Sequence, residues 1–152
     1  MSPLSLLCIG SLKTSWAQEA CAQYLVRLGP RFTVRELSAS KLKDGPRQLL
    51  DESERLLEVL EDVRGVVWVL DERGDRLTSP ALAEALGKLV DRGEPLTLVL
   101  GGAYGLTEAV RARADRLVRL SDLVFPHELC RVMLLEQLYR AAEIRRGSGY
   151  HH

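Results

Sequence analysis

Five short apolar runs, Leu4–Ile9, Phe32–Leu37, Val66–Leu70, Leu96–Leu100 and Leu117–Leu120, recur along the chain, and a stretch with helical periodicity follows each one. Adjacent parallel strands are joined only by crossovers long enough to hold a helix. Alternation of this kind therefore predicts a largely parallel sheet covered by helices on both faces. The second run is half polar and is expected near the sheet edge. No linker or internal repeat interrupts the pattern, so the 152 residues are expected to form one α/β domain.

The helices carry their own punctuation. Ser15 with Gln18 three residues on reads as a capping box ahead of Ala17, Cys21, Tyr24, Leu25 and Leu28, and Gly29-Pro30 ends that helix. Pro46 occupies the first turn of a second helix with Leu49, Ser53, Leu56, Leu57 and Leu60 inward. Ser79-Pro80 opens a third on Leu82, Leu86, Leu89 and Val90, and Thr107 caps a shorter one through about Ala114. The polar stretch Glu72 to Thr78 reads as a loop.

The last helix, from about His127 to Arg146, is apolar all round, yet Glu136, Arg140 and Glu143 share one narrow sector. Two readings stand at this stage: a dimer interface with an ionic seam, or the central core helix of a monomer. Glu136 and Arg140 have the favourable acid-first i, i+4 order.

Composition removes several classes. Three cysteines, far apart and without a C-x-x-C pair, fit a reducing compartment and supply neither a disulfide framework nor a metal-ligand set. The run Leu4–Ile9 is too short for a signal peptide or a membrane span, so a soluble, unprocessed cytoplasmic protein with no membrane partner and no metal is expected. Lys+Arg and Asp+Glu are both 21, so a nucleic-acid partner has to be met by a local basic patch. Arg111, Arg113, Arg116 and Arg119 form such a run, which reads equally well as a solvated surface.

Ligands of open α/β sheets bind beyond the carboxyl ends of the strands. Three of those ends are unusual here: Leu70-Asp71, Gly101-Gly102, and Ser121 to Pro126, which leaves the fifth strand without entering a helix at once. Consecutive glycines let a ligand approach the backbone, and they equally suit a tight strand-to-helix turn. G-x-G-x-x-G, a Walker loop, G-x-S-x-G and H-E-x-x-H are all missing, which disfavours the common dinucleotide, phosphate and hydrolase sites. His127, at the mouth of the last helix, has the chemistry to bond substrate or take a proton.

The combination of Val69-Leu70-Asp71, Leu100-Gly101-Gly102-Ala-Tyr-Gly105-Leu106, Phe125-Pro126-His127, the helix Arg131 to Ala141 and the terminal Tyr150-His151 resembles the ribosomal RNA large subunit methyltransferase H family, minimal members of the SPOUT (α/β-knot) class. The resemblance spans essentially the whole chain. It implies a single SPOUT domain over residues 1–152, with a trefoil knot in about 96–146 and a flexible tail at 147–152. It also implies a homodimer and S-adenosylmethionine contacted by Leu70, Gly102, Ser121, Asp122, Leu123, Val124, Phe125 and Pro126. The implied reaction is methylation of N3 of a pseudouridine of 23S rRNA in assembled ribosomes. His127, Arg140, Tyr150 and His151 are then expected on the substrate side, with Arg140 stabilising negative charge, one histidine as base, and the tail of one subunit reaching the pocket of the other. Phe125 departs from the small aliphatic residue more usual in that family.

Overall fold

The computed structural model describes residues 3–152. Its order is β1 (Leu4–Ile9), α1 (Ser15–Leu28), β2 (Phe32–Leu37), α2 (Gly45–Glu61), β3 (Val66–Arg76), α3 (Ser79–Arg92), β4 (Leu96–Leu100), α4 (Glu108–Arg113), β5 (Arg116–Arg119) and α5 (His127–Arg146). The five strands form one sheet in the order β2-β1-β4-β3-β5, every neighbouring pair parallel. The half-polar β2 lies at one edge, as its composition predicts.

Both faces of the sheet are buried, which is why its central strands are mainly apolar, with Ser5 of β1 and Thr97 of β4 hydrogen-bonded to each other at 3.1 Å. Leu6, Cys8, Trp68, Leu98 and Val118 point to one side, against Cys21 of α1, Leu89 of α3 and Leu134, Leu135 and Leu138 of α5. Leu7, Ile9, Val67, Val69 and Val99 point to the other, against Leu56 and Leu60 of α2 and Val110 of α4. Thus α5 packs against α1 and α3 and closes one of the two cores of its own chain.

Four local expectations are corrected. β3 does not end at Asp71: it runs on to Arg76 with a register shift, so that both Leu70 and Asp75 pair with Val118 of β5. The buried Gly74 permits this, because a Cβ there would lie 2.5 Å from the backbone N of Val118. β5 spans Arg116–Arg119, one residue earlier than its apolar run. Thr78, not Ser79, caps α3 by accepting from the amide of Ala81 at 3.2 Å.

The Ser15–Gln18 capping box is not formed. Thr14 is the N-cap of α1 without a side-chain cap bond, and Gln18 Nε2 donates to Leu12 O at 2.8 Å. The amides leading into the helix are satisfied from far away in sequence. Glu128, at the start of α5, accepts from the N–H groups of Lys13 at 2.6 Å and Thr14 at 3.1 Å. These bonds hold the Glu128 carboxyl below its usual range. Arg131, 4% exposed, adds a second clasp by donating to Glu36 at 2.6 Å and to Gly10 O at 2.9 Å. The start of α5 is thereby fixed to the carboxyl ends of β1 and β2.

Candidate active site

The carboxyl ends of β3, β4 and β5 converge on a cleft of about 780 Å³, lined among others by Leu70, Asp71, Leu100 to Glu108, Arg111, Ser121, Leu123 to His127 and Cys130. All three unusual strand ends therefore meet, as their positions in the sequence predict. A cleft of this size matches a small-molecule site.

The glycine turn is shaped from behind by protein. A Cβ on Gly101 would lie 2.8 Å from Leu106 Cδ2, and one on Gly102 would lie 2.7 Å from Glu52 Oε1 and 3.2 Å from Ile9 Cγ2. Glu52 is 4% exposed, and its other oxygen accepts from the amide of Ser40 at 2.8 Å. Its neighbour Ser53, equally buried, accepts from the amide of Thr107 at 3.1 Å. Two consecutive polar residues of α2 thus back the two ends of the turn. Sequence periodicity placed Ser53 inward and missed Glu52, whose carboxylate gives no apolar signal.

Arg111 braces the same turn from the β3 side. Its Nη1 donates to Leu106 O at 2.6 Å and lies 3.5 Å from Asp71, whose side chain is 7% exposed. The expected basic run is thereby spent within the fold. Arg111 also pairs with Glu108, Arg116 with Asp75 and Arg119 with Asp122, while Arg113 donates to Leu60 O. A row of arginines each matched to its own carboxylate or carbonyl offers little free charge to a polyanion.

The opposite wall is the segment from Ser121 to Pro126, which carries the chain from β5 to α5. Asp122 anchors it, taking Arg119 Nη1 at 2.7 Å and Arg76 Nε at 3.0 Å on one oxygen. The Arg119 bond is the main reason its carboxyl is held below the ordinary aspartate range. Ser121 Oγ accepts from the amide of Leu123 at 3.0 Å, a local turn that leaves Leu123 and Val124 exposed at 72% and 87%.

The expected substrate-side residues divide into two groups. His127 lines the cleft. Arg140, Tyr150 and His151 gather near the other end of α5, thirteen residues and roughly 20 Å of helix away. There Glu136 Oε1 accepts from Arg140 Nε at 3.0 Å and Nη2 at 2.5 Å, and from Tyr150 Oη at 3.2 Å. Arg140 Nη1 lies 3.3 Å from His151 Nδ1, and the guanidinium sits over the Tyr150 ring. The tail, expected to be flexible, packs back on α5 through these contacts and through the ring of Tyr139, 5.0 Å from that of Tyr150.

These contacts set the chemistry of the cluster. The Glu136 hydrogen bond raises the Arg140 pKa, so the guanidinium is permanently charged. Burial, followed by the bond to Glu136, pushes the Tyr150 phenol above its usual range. Tyr150 is therefore a hydrogen-bond donor at neutral pH, as its bond to Glu136 requires.

Comparison with known proteins agrees with this architecture. The family model described as predicted SPOUT methyltransferase matches residues 3–151. Proteins named ribosomal RNA large subunit methyltransferase H are similar over their full length: 43% identical from Solidesulfovibrio magneticus, covering 100% of both chains, and 40% from Geobacter metallireducens, covering 98% of both. Among solved structures, the SpoU methyltransferase AviRb from Streptomyces viridochromogenes, crystallised with AdoMet, shares the fold at a TM-score of 0.51 and 16% identity. That alignment covers 97% of this chain and 59% of the other.

Proposed function

Because the chain belongs to the SPOUT methyltransferase family, we propose that it transfers the methyl group of S-adenosylmethionine to N3 of a pseudouridine in 23S rRNA, acting as a homodimer on assembled ribosomes in the cytoplasm. Full-length identity of 40–43% to the methyltransferase H proteins supports the RNA target. The observation that carries the reading is the convergence of Leu70, Gly102, Ser121 and Leu123 to Pro126 on one cleft, with Asp122 turned to Arg119 and Arg76 and not among its lining residues. Apolar walls at Leu100, Leu106, Leu120 and Phe125 beside the open backbone of the turn suit an adenosine and a thioether chain. Leu70, Gly102, Ser121, Asp122, Leu123, Val124, Phe125 and Pro126 are the proposed cofactor contacts. A trefoil knot formed by 96–146 is part of the same reading.

Bound S-adenosylmethionine supplies a methyl group already activated on sulfonium, so the protein's task is alignment, exclusion of water and management of the imide proton. N3 of the base is protonated at neutral pH and becomes a nucleophile only as that proton leaves. His127 stands on the cleft rim where the base enters. Arg140, held in place by Glu136, offers the N–H of its remaining Nη1 to the developing anion, and His151, beside it, is the second candidate to receive the proton.

The distance between His127 and Arg140 along one helix favours a site that takes one residue from each of two copies. The groove of about 370 Å³ lined by Tyr24, Leu77, Leu82, Val132, Met133 and Glu136 supports such pairing, since it is an apolar face ending at the ionic cluster. The test is transfer of radioactive methyl from S-adenosylmethionine to purified ribosomes, followed by mass mapping of the labelled nucleotide. Label on N3 of a large-subunit pseudouridine is expected. Absence of labelled RNA, or label on another base, overturns the assignment.

A further inference from the structure

Since Arg111, Arg113, Arg116 and Arg119 are engaged within the fold, a neutral chain must meet a polyanion elsewhere. The sheet order places the loops after β1 and β2 side by side, next to the glycine turn that follows β4. On those loops and the first turn of α2 stand Lys13, Lys41, Lys43 and Arg47, all exposed. Among the described residues none of the four enters an ion pair. The carboxylates nearby are committed: Asp44 caps α2 by accepting from the Arg47 amide, Asp51 pairs with Arg55, and Glu52 faces inward.

An aromatic ring borders this strip. Tyr104 is 58% exposed, yet it rests on the start of α2: a Cβ on Gly45 would lie 2.8 Å from Tyr104 Cε1. Gly45 does not have a positive φ, so its backbone makes no demand for glycine. A side chain there would instead have to displace the ring from its seat on α2. Tyr104 also lines the cleft, so a wet, prepositioned aromatic face stands between the reaction centre and the free cations.

We propose that residues 41–47 together with Tyr104 form a contact surface for the RNA strand flanking the target nucleotide. Lys41, Lys43 and Arg47 neutralise its phosphates, and the Tyr104 ring stacks on a neighbouring base. Cations alone would suit any acidic partner. The exposed ring fixed beside them favours unstacked RNA, because every base offers a π-face and amino-acid carboxylates do not. This inference rests on the RNA-methyltransferase reading.

The test compares wild type with Lys41→Glu/Lys43→Glu and with the neutral pair Lys41→Gln/Lys43→Gln, using purified ribosomes and S-adenosylmethionine. The KM for ribosomes is expected to rise about ten-fold or more, and the salt slope of binding to fall by about 0.7 for each lysine lost. The dissociation constant for the cofactor should not move. Tyr104→Leu should raise the same KM about ten-fold, with Tyr104→Phe restoring it. A photocrosslinker at position 43 should label rRNA. Unchanged KM and salt slope in both lysine pairs, or crosslinks confined to ribosomal protein, overturn the proposal. If wild type itself modifies no ribosomal RNA, it is the parent reading that fails.

Discussion

Arg140 Nη1 lies 3.3 Å from His151 Nδ1, and neither side chain lines the cleft that His127 does. Charge and cleft sit at opposite ends of one helix. The proposed homodimer would complete a site that needs both by bringing Arg140 of one copy to the cleft of the other.

Mixed dimers test that geometry. His127→Ala and Arg140→Ala are each expected to lower methyl transfer by about 10²-fold or more, the scale of a lost proton-transfer or oxyanion-stabilising group. Cofactor affinity, read by calorimetry, should survive in Arg140→Ala. Mixing the two variants and allowing subunits to exchange should restore activity, because half of the sites in each hybrid keep both residues. A mixture as inactive as its parents would place the two residues in one protomer's site.

The contact between Gly102 and Glu52 predicts a paired effect. Gly102→Ala forces a methyl group to within 2.7 Å of Glu52 Oε1 and should reduce cofactor affinity at least ten-fold. Overpacking of this kind costs about 1–3 kcal/mol. Adding Glu52→Ala makes room, so the double variant should bind more tightly than Gly102→Ala alone. Additive losses in titration calorimetry would show that the glycine serves the ligand and not the packing.

Asp122 predicts a defined pH window for the cleft wall. A carboxyl held below its ordinary value of 3.8 contributes above that pH, and its contribution disappears as the pH falls through the depressed folded-state value. Asp122→Asn should weaken cofactor binding by the same factor from pH 8 to about 5. Below about 3.8 the difference from wild type should shrink. Because the pair is exposed, raising the salt concentration should narrow the difference at neutral pH as well.

Cys8 should be inert in the native protein. Burial pushes its thiol from 9.0 up to about 11, and burial raises Cys21 and Cys130 as well. Iodoacetamide at pH 8 should reach Cys8 only through opening, at a rate that follows the unfolding equilibrium, and ahead of it should label the half-buried Cys130 that lines the cleft. For Cys8 the folded state holds its proton more tightly than the unfolded one, so its contribution is complete below about 9 and is lost as pH rises toward 11. Denaturant midpoints should fall across that interval, and Cys8→Ala should flatten the fall.

The layered architecture was legible because burial on both faces of a parallel sheet leaves Val66–Leu70 wholly apolar and Leu96–Leu100 apolar but for Thr97. The three strand ends of the cleft were legible for the same reason: each lies where an apolar run stops. What stayed hidden depends on partners distant in sequence. The charged stretch Asp71 to Arg76 looks like a loop, and only its pairing with β5 and the bare Cα of Gly74 make it a strand. Likewise, nothing near Thr14 announces Glu128, 114 positions away, and the run from Arg111 to Arg119 does not disclose the carboxylates, or for Arg113 the carbonyl, that engage it. Tyr150 and His151 were singled out by resemblance alone, since two aromatic residues at a chain end have no periodicity to read.

The grip of Glu128 and Arg131 on the loops after β1 and β2 has a consequence for how the protein comes into being. One wall of the cleft and the clasp that seats it both lie in the final third of the chain. A nascent polypeptide whose last helix is still inside the exit tunnel therefore lacks both a closed cleft and the cover for one face of its sheet. Competence arrives in a single event, when the last segment is released and docks. Products of premature termination that lack the last helix should consequently fail to bind cofactor.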